Sequence, residues 1–275
     1  MSIRILYSDV DGTMVGPGGC FVRGDDGQLT TEPTEALVHM LRSEVELVLV
    51  SGRTGPQLKD AARILGADGF IAEMGAIIGW DMGRQTATLT GEAPSDFEGP
   101  LVAQLQSIGL VDALIARHDG RLAYHAPWHL GHETDVMLQG QVDVDEVERW
   151  LTGEGFPWLT FVDNGRLPGA TLAKVDGPLH VYHLMARGIS KGRGVAADLN
   201  RRGLGSHNAV AVGDSLSDLE MAAHVERLFL VANGAAVPSI RDAARALANV
   251  TICEESVGHG WAEAARWSAA HSPRG

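Results

Sequence analysis

Two aspartates separated by one residue, Asp9 and Asp11, follow an apolar run near the start of the chain. The run, residues 3–7, has the composition of a buried β-strand, and Gly12 indicates that the backbone turns directly after the pair. Two crowded carboxylates repel one another unless a cation lies between them or one of them keeps a proton. The pair therefore indicates a cation site or acid–base chemistry, although a plain Asp-Gly turn would use the same residues.

Polar residues also follow other apolar runs, and the order of the predicted strands and helices indicates the fold. Residues 45–50 predict a strand that is buried on both faces, and the polar residues 51–54 come directly after it. A helix over about 56–65 and a strand over 69–72 complete a β-α-β-α-β alternation. This alternation is typical of a parallel sheet flanked by helices.

The same pattern, an apolar strand followed by polar residues, recurs at residues 209–218. Residues 209–212 predict another short buried strand, and Gly213, Asp214 and Asp218 follow it at the start of a helix. Because open α/β sheets bind their ligands at the carboxyl ends of the strands, we expect these acidic side chains to lie near Asp9.

The composition narrows the class of protein. The chain has 275 residues, of which 45% are hydrophobic, enough for one large domain or two modest ones. Acidic residues outnumber basic ones by 35 to 22, and the net charge of -13 comes without a basic cluster, which argues against nucleic-acid or anionic-membrane partners. Cys20 and Cys253 lack metal-ligand spacing, and neither a signal peptide nor an apolar segment of about 18 residues is present. We therefore expect a soluble cytoplasmic protein with reduced thiols.

The middle of the chain differs from both ends in its predicted pattern of secondary structure. Residues 84–186 show an α-β-β pattern twice, with alternating strands of the kind found in antiparallel sheets with one solvated face. We expect an α/β fold in which a Rossmann-like parallel-sheet core, residues 1–83 and 187–275, carries this segment as an inserted α+β domain (αββαββ). The two crossings between the domains are candidate hinges.

Four motifs stand at the predicted strand ends and helix starts, namely Asp9-Val10-Asp11-Gly12-Thr13, Ser51-Gly52-Arg53, Lys191 within Ile189-Ser190-Lys191-Gly192, and Gly213-Asp214-Ser215-Leu216-Ser217-Asp218. Their order and positions resemble those of haloacid dehalogenase superfamily phosphatases. The likeness is to the Cof-like and sucrose-phosphatase-like branch, in which a large α/β cap follows the third core strand, and it covers nearly the whole chain. The chain departs from the Cof pattern at Ser217, where asparagine is usual, and at residues 258–260, where an acidic residue and glycine are typical.

The resemblance implies a phosphoryl-transfer site built on the acidic residues. Asp9 would be the nucleophile that attacks phosphorus and carries a covalent aspartyl phosphate. Mg2+ would bind the carboxylates of Asp9 and Asp214 and the backbone carbonyl of Asp11, because this hard cation prefers oxygen ligands. The Asp11 side chain would protonate the leaving alkoxide and later take a proton from water.

A second set of residues would handle the phosphate. Ser51 and the amide of Gly52 would hydrogen-bond a phosphoryl oxygen, and Lys191 would balance the charge of the nucleophile and of the transition state. Asp218 would orient a metal-bound water or Lys191. Arg53 has two roles open, a phosphate contact or an ion pair with the scaffold. Helix capping remains an alternative for Ser51, and Asp218 could be a helix N-cap in addition to this role.

The resemblance places substrate specificity in the inserted domain, because a cap can close over a substrate and exclude water. The candidate substrate contacts there are polar residues, namely Arg117, His118, Tyr124 and Arg166, with His125, His129, His132, Glu133 and Asn164 as further candidates. His129 and His132 have the spacing of zinc ligands on a helix, but Gly131 disfavours that helix. Contacts with solvent or with sugar hydroxyls therefore fit these histidines better.

Three functions are compatible with the sequence. The first is a Mg2+-dependent phosphomonoester hydrolase that acts on a small phosphorylated metabolite, a sugar phosphate or sugar-phosphoglycerate. The second is a phosphosugar mutase of the phosphomannomutase type, which shares the motifs and differs in its product. The third is a non-catalytic module that binds a phosphorylated metabolite, against which the intact acidic residues and Lys191 argue. A monomer and a homodimer both fit, and the small substrate is the only partner expected.

Overall fold

Two strands at the centre of the larger sheet are short and buried along their length, as the sequence pattern predicts. The structure is a computed structural model that describes residues 2–95, 99–167 and 169–274. Its strands are β1 (Ile5–Asp9), β2 (Glu46–Val50), β3 (Gly69–Ala72), β4 (Ile77–Trp80), β5 (Gln85–Thr88), β6 (Leu122–Tyr124), β7 (Asp135–Gly140), β8 (Leu159–Leu167), β9 (Leu179–Ala186), β10 (Ala209–Gly213), β11 (Arg227–Leu230) and β12 (Val250–Ile252).

The α-helices vary from single turns to about four turns. They are α1 (Glu32–Arg42), α2 (Gly55–Leu65), α3 (Leu101–Ser107), α4 (Leu110–Arg117), α5 (Val144–Gly153), α6 (Lys191–Arg202), α7 (Leu216–Leu219), α8 (Ala232–Ala235), α9 (Pro238–Arg245) and α10 (Val257–Ala270). In the described part of the chain, no helix combines the length and the apolar character needed to cross a bilayer.

The chain folds into two units, Met1–Thr88 with Ser190–Gly275, and Leu89–Ile189. In the first unit the described strands form a sheet in the order β12-β11-β10-β1-β2-β3-β4-β5. The pairs from β12 to β3 are parallel, which confirms the expected α/β class with a parallel-sheet core. The antiparallel β3-β4-β5 extension differs from the prediction that residues 84–88 belong to the inserted domain, because β5 pairs with β4.

The second unit contains an antiparallel sheet with the described order β6-β7-β9-β8. Helices α3, α4 and α5 pack on one face of this sheet through a buried cluster that includes Leu105, Val111, Leu114, Leu138, Val147, Leu151, Phe161 and Leu184. The observed order of elements agrees with the expected αββαββ pattern, with the first helix divided into α3 and α4. That the two units act as catalytic core and cap stays a prediction.

Candidate active site

Three neighbouring strands deliver polar residues to one edge of the core sheet. Strand β1 lies between β10 and β2; its last residue, Asp9, is opposite Val50, and the residue before it is opposite Val212. Because these strands are parallel, the residues that follow them, Ser51 and Asp214, leave the sheet at the same edge as Asp9. The fold therefore gathers at one edge residues that are far apart in the chain.

A buried lysine joins two of the carboxylates. Lys191 is the first residue of α6, and the Ser190 side chain caps this helix by accepting the Arg193 N–H. The Nζ atom of Lys191 donates to Asp9 Oδ1 at 2.8 Å and to Asp218 Oδ1 at 2.7 Å, and all three side chains are buried. Burial opposes the charged form, but Asp218 and Asp9 outweigh it and raise the pKa of Lys191, so this lysine stays cationic.

Asp9, Asp214 and Asp218 form a compact group of carboxylates. One oxygen from each lies within 4.8 Å of the other two, a spacing that a shared cation could bridge. Burial raises the pKa of Asp9, and Asp218 adds to this, while Lys191 opposes it. Burial and Asp218 likewise raise the pKa of Asp214 to about 7. Three carboxylates around one lysine carry excess negative charge, so the group fits a divalent cation, which would lower both pKa values.

Asp218 uses both of its oxygens inside the fold. One accepts from Lys191, and the other accepts the N–H of Asp214 at 3.1 Å, the N–H of Ser215 at 3.0 Å and the Ser215 hydroxyl at 2.6 Å. Ser215 is the N-cap of α7 and Asp218 is the N3 residue of its capping box, so Asp218 takes part in capping this helix and also binds Lys191. These bonds tie the orientation of Lys191 to the turn that carries Asp214.

Gly12 brings the loop after β1 into contact with Asp214. Its φ of +81° lies in the left-handed region, and a Cβ at this position would lie 2.5 Å from Asp214 Oδ2. Thr13 completes the contact, since its hydroxyl donates to Asp214 Oδ1 at 3.2 Å. A residue with a side chain could not let the loop approach the carboxylate this closely.

Asp11 is held differently from the other acidic residues. The Nε atom of Arg53 donates to Asp11 Oδ2 at 2.7 Å, and a terminal nitrogen of Arg53 donates to Asp11 Oδ1 at 2.6 Å. The hydrogen bonds of this forked ion pair raise the pKa of Arg53. Of the two roles that the sequence left open for Arg53, the structure shows an ion pair, and its partner is the candidate acid–base residue itself.

Ser51 is buried directly after β2, and its hydroxyl accepts the Arg53 N–H at 3.2 Å. The N-cap of α2 is Thr54, whose side chain accepts the Gln57 N–H, so the helix-capping alternative for Ser51 is wrong. Gly52 is partly exposed between Ser51 and Arg53. The segment from Ser51 to Arg53 thus lies at the sheet edge, with Arg53 linking it to the loop after β1.

The four candidate substrate contacts of the second unit are spread over it. Arg117 ends α4 and pairs with Glu146 at 3.4 Å, and His118, the next residue, is buried. Tyr124 lies on β6 and Arg166 on β8, the opposite edge strands of the described sheet. Three strand spacings, ~14 Å in all, separate these strands, so strand pairing does not bring Tyr124 and Arg166 together.

The second unit contains a buried charged cluster that the sequence alone does not reveal. His132 Nδ1 lies 2.5 Å from Asp135 Oδ1, and His183 Nδ1 contacts the other oxygen of Asp135. Burial opposes ionisation of this carboxylate, but His183 and His132 outweigh it and lower the pKa of Asp135. The sequence indicated only His132, because Asp135 and His183 lie on different strands and approach only once β7 pairs with β9.

The chain is similar to known proteins along most of its length. A sequence profile of haloacid dehalogenase-like hydrolases matches residues 170–257. A phosphoglycolate phosphatase of Methanothrix thermoacetophila is 26% identical over 273 residues, which is 95% of each chain. The solved structure of a sucrose-phosphatase from Synechocystis sp. PCC6803 superposes with a TM-score of 0.63 at 17% identity, over 98% of both chains. A Thermoplasma acidophilum protein gives a TM-score of 0.64 at 17% identity, over 98% of this chain and 99% of the other.

These similarities confirm the resemblance to haloacid dehalogenase-like hydrolases that the sequence motifs indicated. A second phosphoglycolate phosphatase, from Methanopyrus kandleri, is 25% identical over 78% of each chain. The profile match includes Lys191, Asp214 and Asp218, three of the residues gathered at the sheet edge.

Proposed function

We propose that this protein is a phosphatase that hydrolyses phosphomonoesters with the help of Mg2+ and through a covalent phosphate on Asp9. The observation that carries the proposal is the buried ion pair of Asp9 with Lys191, next to Asp214, at the carboxyl edge of a parallel sheet. A carboxylate is a weak nucleophile, so it must be oriented and its charge balanced when an anionic phosphate approaches. Two cations would balance this charge, and Lys191 is the first of them.

The donor set supports Mg2+ as the second cation. Asp9 and Asp214 offer hard carboxylate oxygens, and the backbone carbonyl of Asp11 is the further ligand that the family resemblance implies. Asp218 engages its oxygens with Lys191 and with backbone N–H groups, which favours Asp9 and Asp214 as the direct ligands. When bound, Mg2+ would offset the negative charge of the phosphoryl oxygens and of these carboxylates.

The transfer itself would use residues on both sides of the phosphate. An oxygen of Asp9 would form a bond to phosphorus as the ester P–O bond on the opposite side breaks. Lys191 would keep Asp9 in place and stabilise charge on the phosphoryl oxygens. The hydroxyl of Ser51 and the N–H of Gly52 would donate to a non-bridging oxygen.

Asp11 would supply and recover the proton. It would protonate the leaving alkoxide, and then accept a proton from the water that attacks the aspartyl phosphate, which restores free Asp9 and releases inorganic phosphate. The forked pair with Arg53 occupies both oxygens of the Asp11 carboxylate. The acid–base step therefore requires this ion pair to open, and an arriving phosphate is a competing partner for Arg53.

We propose a small phosphorylated metabolite as the substrate. The motif set and the size of the inserted domain favour a sugar phosphate or sugar-phosphoglycerate. Relatives that match 95% and 96% of the chain are phosphoglycolate phosphatases, which supports phosphoglycolate as an equal candidate. The sucrose-phosphatase likeness is one of fold alone and does not decide between the two.

The other two functions predict different outcomes for the phosphate ester. A phosphomutase would return an isomerised sugar phosphate in place of inorganic phosphate, and a non-catalytic module would leave the ester intact. The phosphatase-named relatives favour hydrolysis over both. A monomer or a homodimer remains the prediction for the assembly, which light scattering on the purified protein would distinguish.

The test is phosphate release from phosphoglycolate, a set of sugar phosphates and an aryl phosphate, with Mg2+ and with EDTA. We expect release that depends on Mg2+ and a loss of about 10³-fold or more in kcat for Asp9→Asn. Asp25→Asn, in the exposed loop before α1, is the matched control and should leave kcat unchanged. The proposal is wrong if no ester is hydrolysed, or if Asp9→Asn is as active as the wild type.

A further inference from the structure

The C-terminal helix α10 contacts the strand that carries Asp9. The indole Nε1 of Trp261 donates to Ser8 Oγ at 2.9 Å, and the Ser8 hydroxyl donates to the carbonyl oxygen of Asp9 at 2.7 Å. Trp261 and Ser8 are both fully buried, so water does not compete for these bonds. The indole thus fixes the rotation of a hydroxyl that itself holds the backbone of the nucleophile.

A second connection runs from the first residue of α10 to the loop after β1. The N–H of Val257 donates to Asn233 Oδ1 at 2.9 Å, and the Nδ2 of Asn233 donates to the carbonyl oxygen of Gly12 at 2.8 Å. The next residue, Gly234, approaches the other proposed metal loop, because a Cβ there would lie 2.2 Å from the carbonyl oxygen of Asp214. Residues 233 and 234 therefore contact both loops that supply carboxylates to the site.

We infer that α10 fixes the geometry of the nucleophile loop, and that Trp261, Ser8 and Asn233 are positioning residues for the reaction. The inference rests on the proposed function. The two connections hold backbone carbonyl oxygens at both ends of the segment from Asp9 to Gly12. A displacement of about 1 Å in a reacting group can lower a rate about 100-fold, so bonds that restrict this segment affect kcat more than substrate binding.

The bond from Asn233 is tested by a change that keeps the side-chain shape. In Asn233→Asp, one oxygen still accepts the Val257 N–H, while the other replaces a donor and repels the Gly12 carbonyl oxygen. We expect the affinity for Mn2+, measured by electron paramagnetic resonance on the free protein, to fall about tenfold. The Mg2+ concentration for half-maximal activity should rise by a similar factor.

Asn249→Asp is the matched control for that variant. The Nδ2 of Asn249 donates to the carbonyl oxygens of Ala222 and Val225, so this change removes the same type of bond away from the nucleophile loop. It should lower the melting temperature with Mn2+ affinity and kcat unchanged.

The indole connection is tested by a double-mutant cycle. Ser8→Ala removes the bond to the Asp9 carbonyl, and Trp261→Phe removes the donor that orients the hydroxyl. We expect Ser8→Ala to lower kcat about tenfold with KM changed less than about threefold, and Trp261→Phe to have a smaller effect of the same kind. Trp261→Phe should lower kcat no further in the Ser8→Ala background, because both changes interrupt one path. Trp267→Phe, on the same helix and packed on Phe229, is the control and should leave kcat unchanged.

The outcomes separate this inference from the proposed function. Loss of activity in Asp9→Asn together with wild-type kcat and Mn2+ affinity in Ser8→Ala and Asn233→Asp would overturn the inference alone. Additive effects of Ser8→Ala and Trp261→Phe would overturn the indole path. Full activity of Asp9→Asn would remove the proposed function, whatever the other variants do.

Discussion

Gly12 and Gly18 both have a positive φ, but they differ in what a side chain would meet. A Cβ on Gly12 would lie 2.5 Å from Asp214 Oδ2, whereas Gly18 has no heavy atom within 4 Å of that position. Gly18→Ala should therefore cost only backbone strain, about 1–2 kcal/mol of unfolding free energy in urea titrations, with kcat unchanged. Gly12→Ala should cause the same backbone strain and also displace the Asp214 carboxylate. We therefore expect kcat at least about tenfold lower and a higher Mg2+ requirement. Equal activity of the two variants would show that the contact with Asp214 has no role in the site.

Lys191 is expected to contribute to stability as well as to catalysis. Without it, Asp9 and Asp218 lose the buried cation that both contact. In EDTA at pH 8, Lys191→Met should lower the unfolding free energy by about 3–5 kcal/mol, because removal of one partner leaves uncompensated buried charge. The loss should be smaller at pH 5, since Asp9 has a raised pKa and takes up a proton more readily there.

Lys174→Met is the control for this prediction. Lys174 also pairs with an aspartate, Asp119, at 2.6 Å, but the pair is exposed to water. Exposed ion pairs contribute little, so urea titrations should show no measurable change. Equal stability of Lys191→Met and Lys174→Met would contradict the view that the buried carboxylates need the lysine.

At the residue scale, the sequence indicates which groups could react but not their partners. Asp9 and Lys191 are recognisable because their types occur at a strand end and a helix start in a known order. The fork between Arg53 and Asp11 is not, because an arginine after a strand is equally able to bind phosphate or a carboxylate. Trp261 is also not recognisable, because an indole in an alanine-rich helix predicts only a packing role. Its hydrogen bond to Ser8 becomes visible only in the structure.

At the scale of elements, the parallel strands of the core are predictable because they are buried on both faces. Strand β1, Ile-Leu-Tyr-Ser-Asp, and strand β10, Ala-Val-Ala-Val-Gly, are buried from end to end, and each begins with a short apolar run. Strand β5, Gln-Thr-Ala-Thr, is exposed throughout and has neither an apolar run nor an alternation. Its pairing with β4 is set by the antiparallel turn and by the neighbouring strand, which local sequence does not reveal.

The cluster around Asp135 should stabilise the second unit by linking β7 to β9. Asp135 and both of its histidine partners are fully buried, and the two histidines occupy both carboxylate oxygens. Asp135→Asn should lower the unfolding free energy by about 3–5 kcal/mol. Asp163→Asn is the control, because the partly exposed pair of Asp163 with His180 on β8 and β9 should contribute less than about 1 kcal/mol.

The same cluster predicts the acid limb of the stability curve. The pKa of Asp135 is lowered in the folded protein, so between the folded and unfolded pKa values the folded state binds fewer protons than the unfolded state. Its contribution is therefore present above the unfolded value of about 3.9 and is lost as the pH falls through the folded pKa. Urea titrations from pH 2.5 to pH 6 should show a flatter acid limb for Asp135→Asn than for the wild type. Parallel curves would contradict the assignment.

At the scale of the whole molecule, the proposed reaction depends on one unit that is interrupted by another. Every residue assigned to phosphoryl transfer lies in the first unit, on both sides of the insertion. The two ends of the inserted unit are tied together, since the N–H of Glu92 donates to the carbonyl oxygen of Arg187 at 2.8 Å. The change of texture in the sequence indicates the insertion. The unit boundary after Thr88, rather than after residue 83, was not predictable because it depends on the pairing of β5.

The stability of the whole chain should respond to Mg2+ and pH together. Burial and Asp218 raise the pKa of Asp214 to about 7, above its ordinary value of 3.8. Between these values the folded protein binds more protons than the unfolded chain, so in EDTA this group favours unfolding increasingly as the pH rises towards 7. A cation bound to the ionised carboxylates stabilises only the folded state and competes with those protons.

The rise in melting temperature caused by 10 mM Mg2+ should therefore be small at pH 5, grow as the pH approaches 7, and level off above it. Differential scanning calorimetry in Mg2+ and in EDTA, at half-unit steps from pH 5 to pH 8.5, measures this difference directly. Asp214→Asn should abolish most of the Mg2+ effect and its pH dependence, because an amide neither titrates nor offers a charged ligand. Asp25→Asn, in an exposed loop, should leave both intact. A Mg2+ effect that is the same at pH 5 and pH 8 would exclude Asp214 as a ligand whose proton the metal displaces.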